Sequence, residues 1–73
     1  MTATLEMVPV ESSNVAAIGH DAAANELHVT FKGGATYVHF DVHRVFYHNM
    51  LAAKSKGQFY ADHIKGVFKH RKL

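Results

Sequence analysis

Seven histidines give this sequence its most obvious capacity for chemistry, because imidazole binds transition metals and titrates near neutral pH. His39, His43 and His48 lie four and five residues apart. A strand-to-helix boundary expected near Asp41 breaks the register of the first pair, and on a helix the second pair points about 140° apart. Acidic residues do not complete a ligand set, so we expect no metal site and no cofactor.

The sequence also lacks catalytic motifs. Ser12 and Ser13 lack the Gly-x-Ser-x-Gly setting of hydrolases, and there is no cysteine nucleophile. Gly33-Gly34 is not followed by a helix that could cradle a phosphate. A chain of 73 residues also has little volume in which to enclose a ligand pocket. We therefore expect a protein that is not an enzyme.

The charges are strongly segregated along the chain. Residues 1–31 carry four acidic and no basic side chains, whereas residues 32–73 carry all eight Lys and Arg against two acids. Tyr47, Phe59, Tyr60 and Phe68 lie among or near the basic residues. Basic and aromatic surfaces bind nucleic acid, and basic surfaces also pair with acidic protein faces. The competing interpretation is a solvated charged face over an aromatic core.

Length and composition indicate one small domain. The lack of cysteine favours a reducing cytoplasm. Runs approaching the ~20 apolar residues of a membrane span are absent from the sequence, and we expect neither a signal peptide nor a membrane partner.

Three consecutive stretches predict strands. Residues 15–20 and 35–40 flank the clearest one, residues 26–32, in which apolar and polar side chains alternate. Asp21 and Asn25 suit the ends of one hairpin loop, and Gly33-Gly34 suits the next. Short connections between sequential strands predict an antiparallel meander.

Two amphipathic helices should follow. Asp41 is the expected N-cap of the first, whose apolar stripe runs through Val42, Val45, Phe46, Asn49, Met50 and Ala53. The second is expected from about residue 58 to 65, with Tyr60, Ile64 and Val67 on one stripe and Gly66 as its end. Ser55 and Gln58 have the spacing of a capping box. Lys56 opposes the dipole of the second helix, which makes it a candidate functional residue.

These elements predict an α+β fold in which a three-stranded antiparallel meander is packed by two C-terminal helices. Residues 1–11 are interpreted as a flexible N-terminal arm. Its apolar part, residues 5–10, is either a tail or edge strand, since Pro9 cannot lie in a central strand, or a segment that docks on a partner. Residues 69–73 are interpreted as a basic C-terminal tail.

An ordered series of short motifs resembles the KTSC domain, a small domain appended to some lysyl-tRNA synthetases and also found alone in bacteria and phages. The motifs are Ser12-Ser13-Asn14-Val15, Ile18-Gly19-His20-Asp21, Leu27-His28-Val29-Thr30-Phe31, Gly34, Tyr37-Val38-His39, Ser55-Lys56-Gly57-Gln58-Phe59-Tyr60 and Ile64-Lys65-Gly66. The resemblance spans residues 12–71 and places the domain at residues 12–68. The chain departs from the family pattern in having Tyr37-Val38-His39 for Tyr-x-Tyr and Val42-His43 for Val-Pro.

The whole chain is also similar to a small phage-encoded transcription regulator of this class. That resemblance implies a monomeric, non-enzymatic protein of the host cytoplasm that binds host RNA polymerase through its β′ and β subunits. It would inhibit initiation by displacing σ and would promote terminator readthrough. The residues expected to contact the partner, or nearby nucleic acid, are Leu5, Met7, Val8, Val10, Lys56, Lys69, Arg71 and Lys72. The alternatives are an RNA-binding module that uses the basic C-terminal face and a metal-dependent or pH-gated switch through the histidines.

Overall fold

A computed structural model describes residues 5–73 as one antiparallel sheet with two helices. The elements in chain order are β1 (Val8–Pro9), β2 (Val15–Asp21), β3 (Glu26–Phe31), β4 (Thr36–His39), α1 (Arg44–Ala52), α2 (Lys56–Phe59), a π-helical segment (Tyr60–Ile64) and β5 (His70–Lys72). The sheet order is β1-β2-β3-β4-β5. The predicted α+β class and the three-stranded meander, β2-β3-β4, are confirmed. The prediction of only three strands is wrong, because both ends of the chain add an edge strand.

Local turn chemistry sets the meander. The Asp21 carboxylate accepts hydrogen bonds from the backbone N–H groups of Ala23 and Ala24, and Asn25 adopts a positive φ of 53°. Gly34, with a φ of 100°, turns the chain between β3 and β4. Both hairpin predictions are confirmed.

One face of the sheet forms the core with the helices. Ile18 on β2 lies opposite Val29 on β3, and both are fully buried. Met50 from α1 and Ile64 from the π-helical segment are fully buried in the same cluster. The alternation seen in residues 26–32 therefore places Leu27, Val29 and Phe31 on the helix side of the sheet.

The first helix starts later than predicted. His43, not Asp41, is its N-cap, and the His43 Nδ1 accepts from the Val45 N–H at 3.1 Å. Asp41 instead has a φ of 59°, which turns the chain before the helix. Val42 is held at the first hairpin, since its N–H donates to the Asn25 carbonyl. Val45 is 46% exposed, so the predicted stripe is wrong at its first turn.

The second helix begins at Ser55, whose hydroxyl accepts from the Gln58 N–H at 3.2 Å as predicted. The reciprocal half of the capping box is absent, because the Gln58 amide donates to Asp62 instead. Gly66 ends the helical region with a φ of 77°, as expected. Val67 is 62% exposed and does not share the buried stripe of Tyr60 and Ile64.

Both ends of the described range, residues 5–73, lie along the sheet. β1 pairs with β2, and the Val10 N–H donates to the Ala16 carbonyl, so the edge-strand interpretation holds within residues 5–11. Residues 1–4 of the expected arm lie outside the described residues. β5 pairs with β4, and residues 70–72 of the expected tail are therefore a strand.

A substitution at Gly19 tests whether residues 6 and 7 pack on β2. A Cβ at this position would lie 2.6 Å from the Met7 sulfur and 2.8 Å from the Glu6 carbonyl oxygen. We expect Gly19→Ala to lower the free energy of unfolding by about 1–3 kcal/mol, because residues 6 and 7 must move. Urea unfolding measures this.

Gly33→Ala is the matched control, because a Cβ there meets nothing within 4 Å. It should be neutral or slightly stabilising. Equal stabilities of the two variants would show that residues 6 and 7 do not pack on β2.

Candidate functional site

A half-open cavity of about 310 Å³ lies between the β3–β5 side of the sheet and the second helical region. It is lined by Asn14, Phe31, Tyr37, Gly57, Tyr60, Ala61, Lys65 and His70. These residues come from β3, β4, β5, α2, the π-helical segment and the loop before β2. The site therefore exists only when β5, the loop before β2 and the second helical region are in place.

Aromatic rings build the walls of the cavity through edge-to-face contacts. Phe31 contacts Tyr37 and Tyr60 with ring centroids 5.8 and 5.2 Å apart. Tyr37 in turn contacts His70 at 5.9 Å. Contacts of this kind hold each ring in one orientation and leave the lining largely apolar.

A buried polar contact lies behind these walls. The His39 Nε2 and the Tyr60 hydroxyl are 3.0 Å apart, and His39 is only 1% exposed. Burial, followed by the nearby His70 and His28, lowers the pKa of His39 from 6.5 to about 4. Burial, followed by Tyr37, raises the pKa of Tyr60. Both groups are therefore neutral at physiological pH.

The tautomer of His39 follows from its unpaired atom. The Nδ1 is buried and has no hydrogen-bond partner. A proton on Nδ1 would be a buried donor without a partner. A proton on Nε2 instead leaves the Tyr60 hydroxyl proton as the unused donor, and this costs less because Tyr60 lines the cavity, where water or a ligand can accept it. We therefore assign the proton to Nε2, which donates to the Tyr60 oxygen. The Tyr60 hydroxyl proton is then available to an acceptor in the cavity.

The π-helical segment brings a cation to the same cavity. The Lys65 N–H donates to the Tyr60 carbonyl at 2.8 Å, an i→i+5 bond that places these two lining residues one wide turn apart. On the opposite side, the Asn14 amide lies against Gly57, where a Cβ would collide with it. A glycine is needed at this position for the loop before β2 to approach α2.

The predicted basic residues of the C-terminus lie along one edge of the sheet but do not all share one face. Lys72 lies opposite Tyr37 and therefore on the cavity side of the sheet, whereas Arg71 lies opposite Val38 and points to the other side. Lys69, Arg71 and Lys72 are all exposed. Lys56 instead donates to the Ala53 carbonyl at 2.7 Å, which satisfies a carbonyl at the end of α1 and gives this lysine a structural role.

The predicted apolar contacts lie at the other edge of the sheet. Leu5, Met7, Val8 and Val10 are all partly buried, and Val10 packs against the core. The structure thus separates the two groups of predicted site residues instead of bringing them together.

The residues that sequence reasoning missed are Asn14, Phe31, Tyr37, Lys65 and His70. The sequence indicates these residues only weakly. The alternation along residues 35–40 allows either face of the strand to be buried, and no local pattern shows that residues 70–72 join the sheet.

Within residues 5–73, no group of three or more His, Cys, Asp or Glu is placed to hold a metal ion. In the same range, no helix has the length and apolar character to cross a bilayer.

Known proteins resemble this chain in both sequence and fold. The model of the KTSC domain matches residues 11–68. A protein of Tsukamurella paurometabola is 42% identical over 65 residues, which cover 89% of this chain and 91% of the relative. The crystal structure of a KTSC domain protein from Yersinia pestis superposes with a TM-score of 0.90 and 35% identity, covering 96% of this chain and 99% of that one.

His39 should make stability depend on pH. Between pH 6.5 and about 4 the unfolded chain binds a proton at this residue and the folded chain does not. The free energy of unfolding therefore falls as the pH drops through this window, by about 3 kcal/mol from His39 alone. His39→Phe should remove this part of the slope, measured by urea unfolding at several pH values.

His48→Phe is the control, because His48 is exposed on α1. It should keep the wild-type pH slope. A wild-type slope in the His39→Phe protein would show that His39 does not resist protonation in the folded state.

Proposed function

Because this chain belongs to the KTSC domain family, we propose that it is a small non-enzymatic binding protein that regulates transcription by contacting RNA polymerase. The observation that carries the proposal is the position of two unlike contact surfaces at opposite edges of one sheet. β1 forms one edge and β5 the other.

The β5 edge is suited to an acidic partner. His70, Arg71 and Lys72 are all exposed, and β5 has a neighbouring strand on one side only. The free side presents unpaired backbone N–H and C=O groups, which a strand of a partner protein can extend. Lys69 and Lys72 add positive charge, which steers association with an acidic surface.

The β1 edge carries apolar side chains where the β5 edge carries basic ones. Leu5, Met7 and Val8 are only partly buried, and exposed Glu6 and Pro9 lie among them. Four inter-strand spacings separate β1 from β5, about 19 Å at ~4.8 Å each. The two edges face opposite ways along the sheet, so a protein that bridges two subunits can use each edge separately.

In the proposed complex the two edges contact the β′ and β subunits of the host polymerase. The expected consequences are loss of σ, inhibition of initiation and readthrough of terminators. The protein acts in the host cytoplasm as a monomer and needs no cofactor. The resemblance of the whole chain to a phage-encoded regulator of this class supports this assignment.

RNA binding is the second candidate function. The observation that favours it is Lys65 at the aromatic cavity, with Lys72 opposite Tyr37 on the same side of the sheet, since cations and aromatic rings together bind single strands. Such binding weakens steeply with salt as counterions are released.

Charge reversal at β5 tests the polymerase proposal. The triple variant Lys69→Glu, Arg71→Glu and Lys72→Glu should reduce binding to nuclease-treated core polymerase by at least about tenfold, because three attractive contacts become repulsive. Biolayer interferometry with immobilised polymerase measures the affinity, and thermal unfolding confirms that the variant is folded.

A matched variant changes the same number of charges elsewhere. Lys32→Glu, Arg44→Glu and Lys54→Glu replace three exposed basic residues outside β5 and should leave binding close to wild type. Unchanged polymerase binding by the β5 variant would overturn the β5 contact. If the wild-type chain does not bind polymerase but binds RNA with a steep salt dependence, the RNA-binding function replaces the regulator.

A further inference from the structure

We propose that the cavity binds the base and phosphate of a nucleoside monophosphate, either free or as one residue of an RNA strand. The proposal concerns the concave site between the sheet and the second helical region. It does not depend on polymerase binding, because the cavity lies beside the β5 edge and not on its free side.

The charged side chains around the cavity favour an anionic ligand. None of its lining residues is acidic, and Lys65 is exposed at its rim. Lys72 lies on the same side of the sheet, next to Tyr37. Lys65 and Lys72 therefore both attract an anionic group to the cavity, and no carboxylate among the lining residues repels it.

The walls select a planar ring. Phe31, Tyr37 and His70 are fixed by their mutual edge-to-face contacts, so their remaining ring surfaces are already oriented. Stacking on such surfaces suits every nucleobase, because every base has a π-face. The volume of about 310 Å³ is at the small end of ligand sites, which suits one nucleotide and not a dinucleotide.

Two polar groups can orient the ligand. With the His39 proton on Nε2, the Tyr60 hydroxyl proton has no acceptor among residues 5–73 and can be donated to a base oxygen or nitrogen. The Asn14 Oδ1 accepts from the Ser12 hydroxyl at 3.3 Å, which leaves the amide N–H groups of Asn14 for the ligand. These donors lie at an otherwise apolar lining, the usual composition of a specific small-molecule site.

Amide NMR titration of the full chain tests this site. The probes are the four 5′-ribonucleoside monophosphates, the corresponding nucleosides, inorganic phosphate and a short single-stranded RNA. We expect saturable shifts for the monophosphates at Asn14, Gly57, Ala61 and Lys65, with weaker binding of nucleosides. The RNA should shift the same amides and, in addition, those of the basic residues along β5.

Two substitutions test the phosphate contact and the stacking contact separately. Lys65→Gln should weaken the monophosphate about fivefold and leave the nucleoside unchanged, because only the phosphate contact is lost. Tyr37→Val keeps a residue that favours strands and should weaken both ligands, because a stacking wall is lost. Lys54→Gln, an exposed lysine away from the cavity, should change neither.

Each outcome decides the proposal. Shifts at the cavity from RNA but not from free nucleotides support the site as a holder of one RNA residue. Shifts that inorganic phosphate reproduces fully, or monophosphate shifts that spread to lysines away from both the cavity and β5, overturn it. Unchanged monophosphate affinity in both Lys65→Gln and Tyr37→Val overturns it as well, provided that thermal unfolding shows both variants folded.

Discussion

One buried hydrogen bond, between His39 on β4 and Tyr60 at the start of the π-helical segment, connects the two halves of this fold at the site. The sheet side of the cavity depends on it because His39 also contacts His70 of β5, with ring centroids 5.5 Å apart. The helical side depends on it because Tyr60 contacts Phe31 and precedes Lys65 by one wide turn. A buried imidazole that stays neutral can hold this contact at physiological pH without a counter-ion. The assigned position of its proton, on Nε2, leaves the hydroxyl proton of Tyr60 for a ligand.

The fold places three different surfaces on a small sheet. β1 carries partly buried apolar residues, β5 carries a basic free edge, and the cavity lies on the helix side between them. Such separation lets one domain of 73 residues meet more than one partner without overlap. The proposed contact with two polymerase subunits uses the edges, and the proposed nucleotide site uses the cavity. A transcription regulator with both would contact the enzyme and a nucleotide or transcript residue at once.

Local patterns predict the centre of this fold well and its periphery poorly. The alternation of residues 26–32 and the glycines at 33 and 34 act between neighbours in sequence, so they predict the β3–β4 hairpin. β5 consists of His70, Arg71 and Lys72, which carry no apolar signal; its place is set by distant backbone bonds such as that from the Leu73 N–H to the Thr36 carbonyl. The cavity is similarly hidden, because its lining runs from Asn14 to His70 and only the tertiary fold brings these residues together. The position of Lys56 at the start of α2 conflicts with the helix dipole in the sequence, and only the tertiary structure shows that its ammonium group donates to the Ala53 carbonyl.

The tautomer of His39 is the most direct test of this account, because the assigned proton position determines whether Tyr60 has a proton to donate. Long-range ¹H–¹⁵N correlation NMR of the imidazole distinguishes a protonated Nε2, a protonated Nδ1 and a charged ring. We expect a neutral ring with the proton on Nε2, unchanged from neutral pH down to about pH 5. A proton on Nδ1, or a charged ring at pH 6, would contradict it, because Tyr60 would then donate to His39 or lie beside a buried cation.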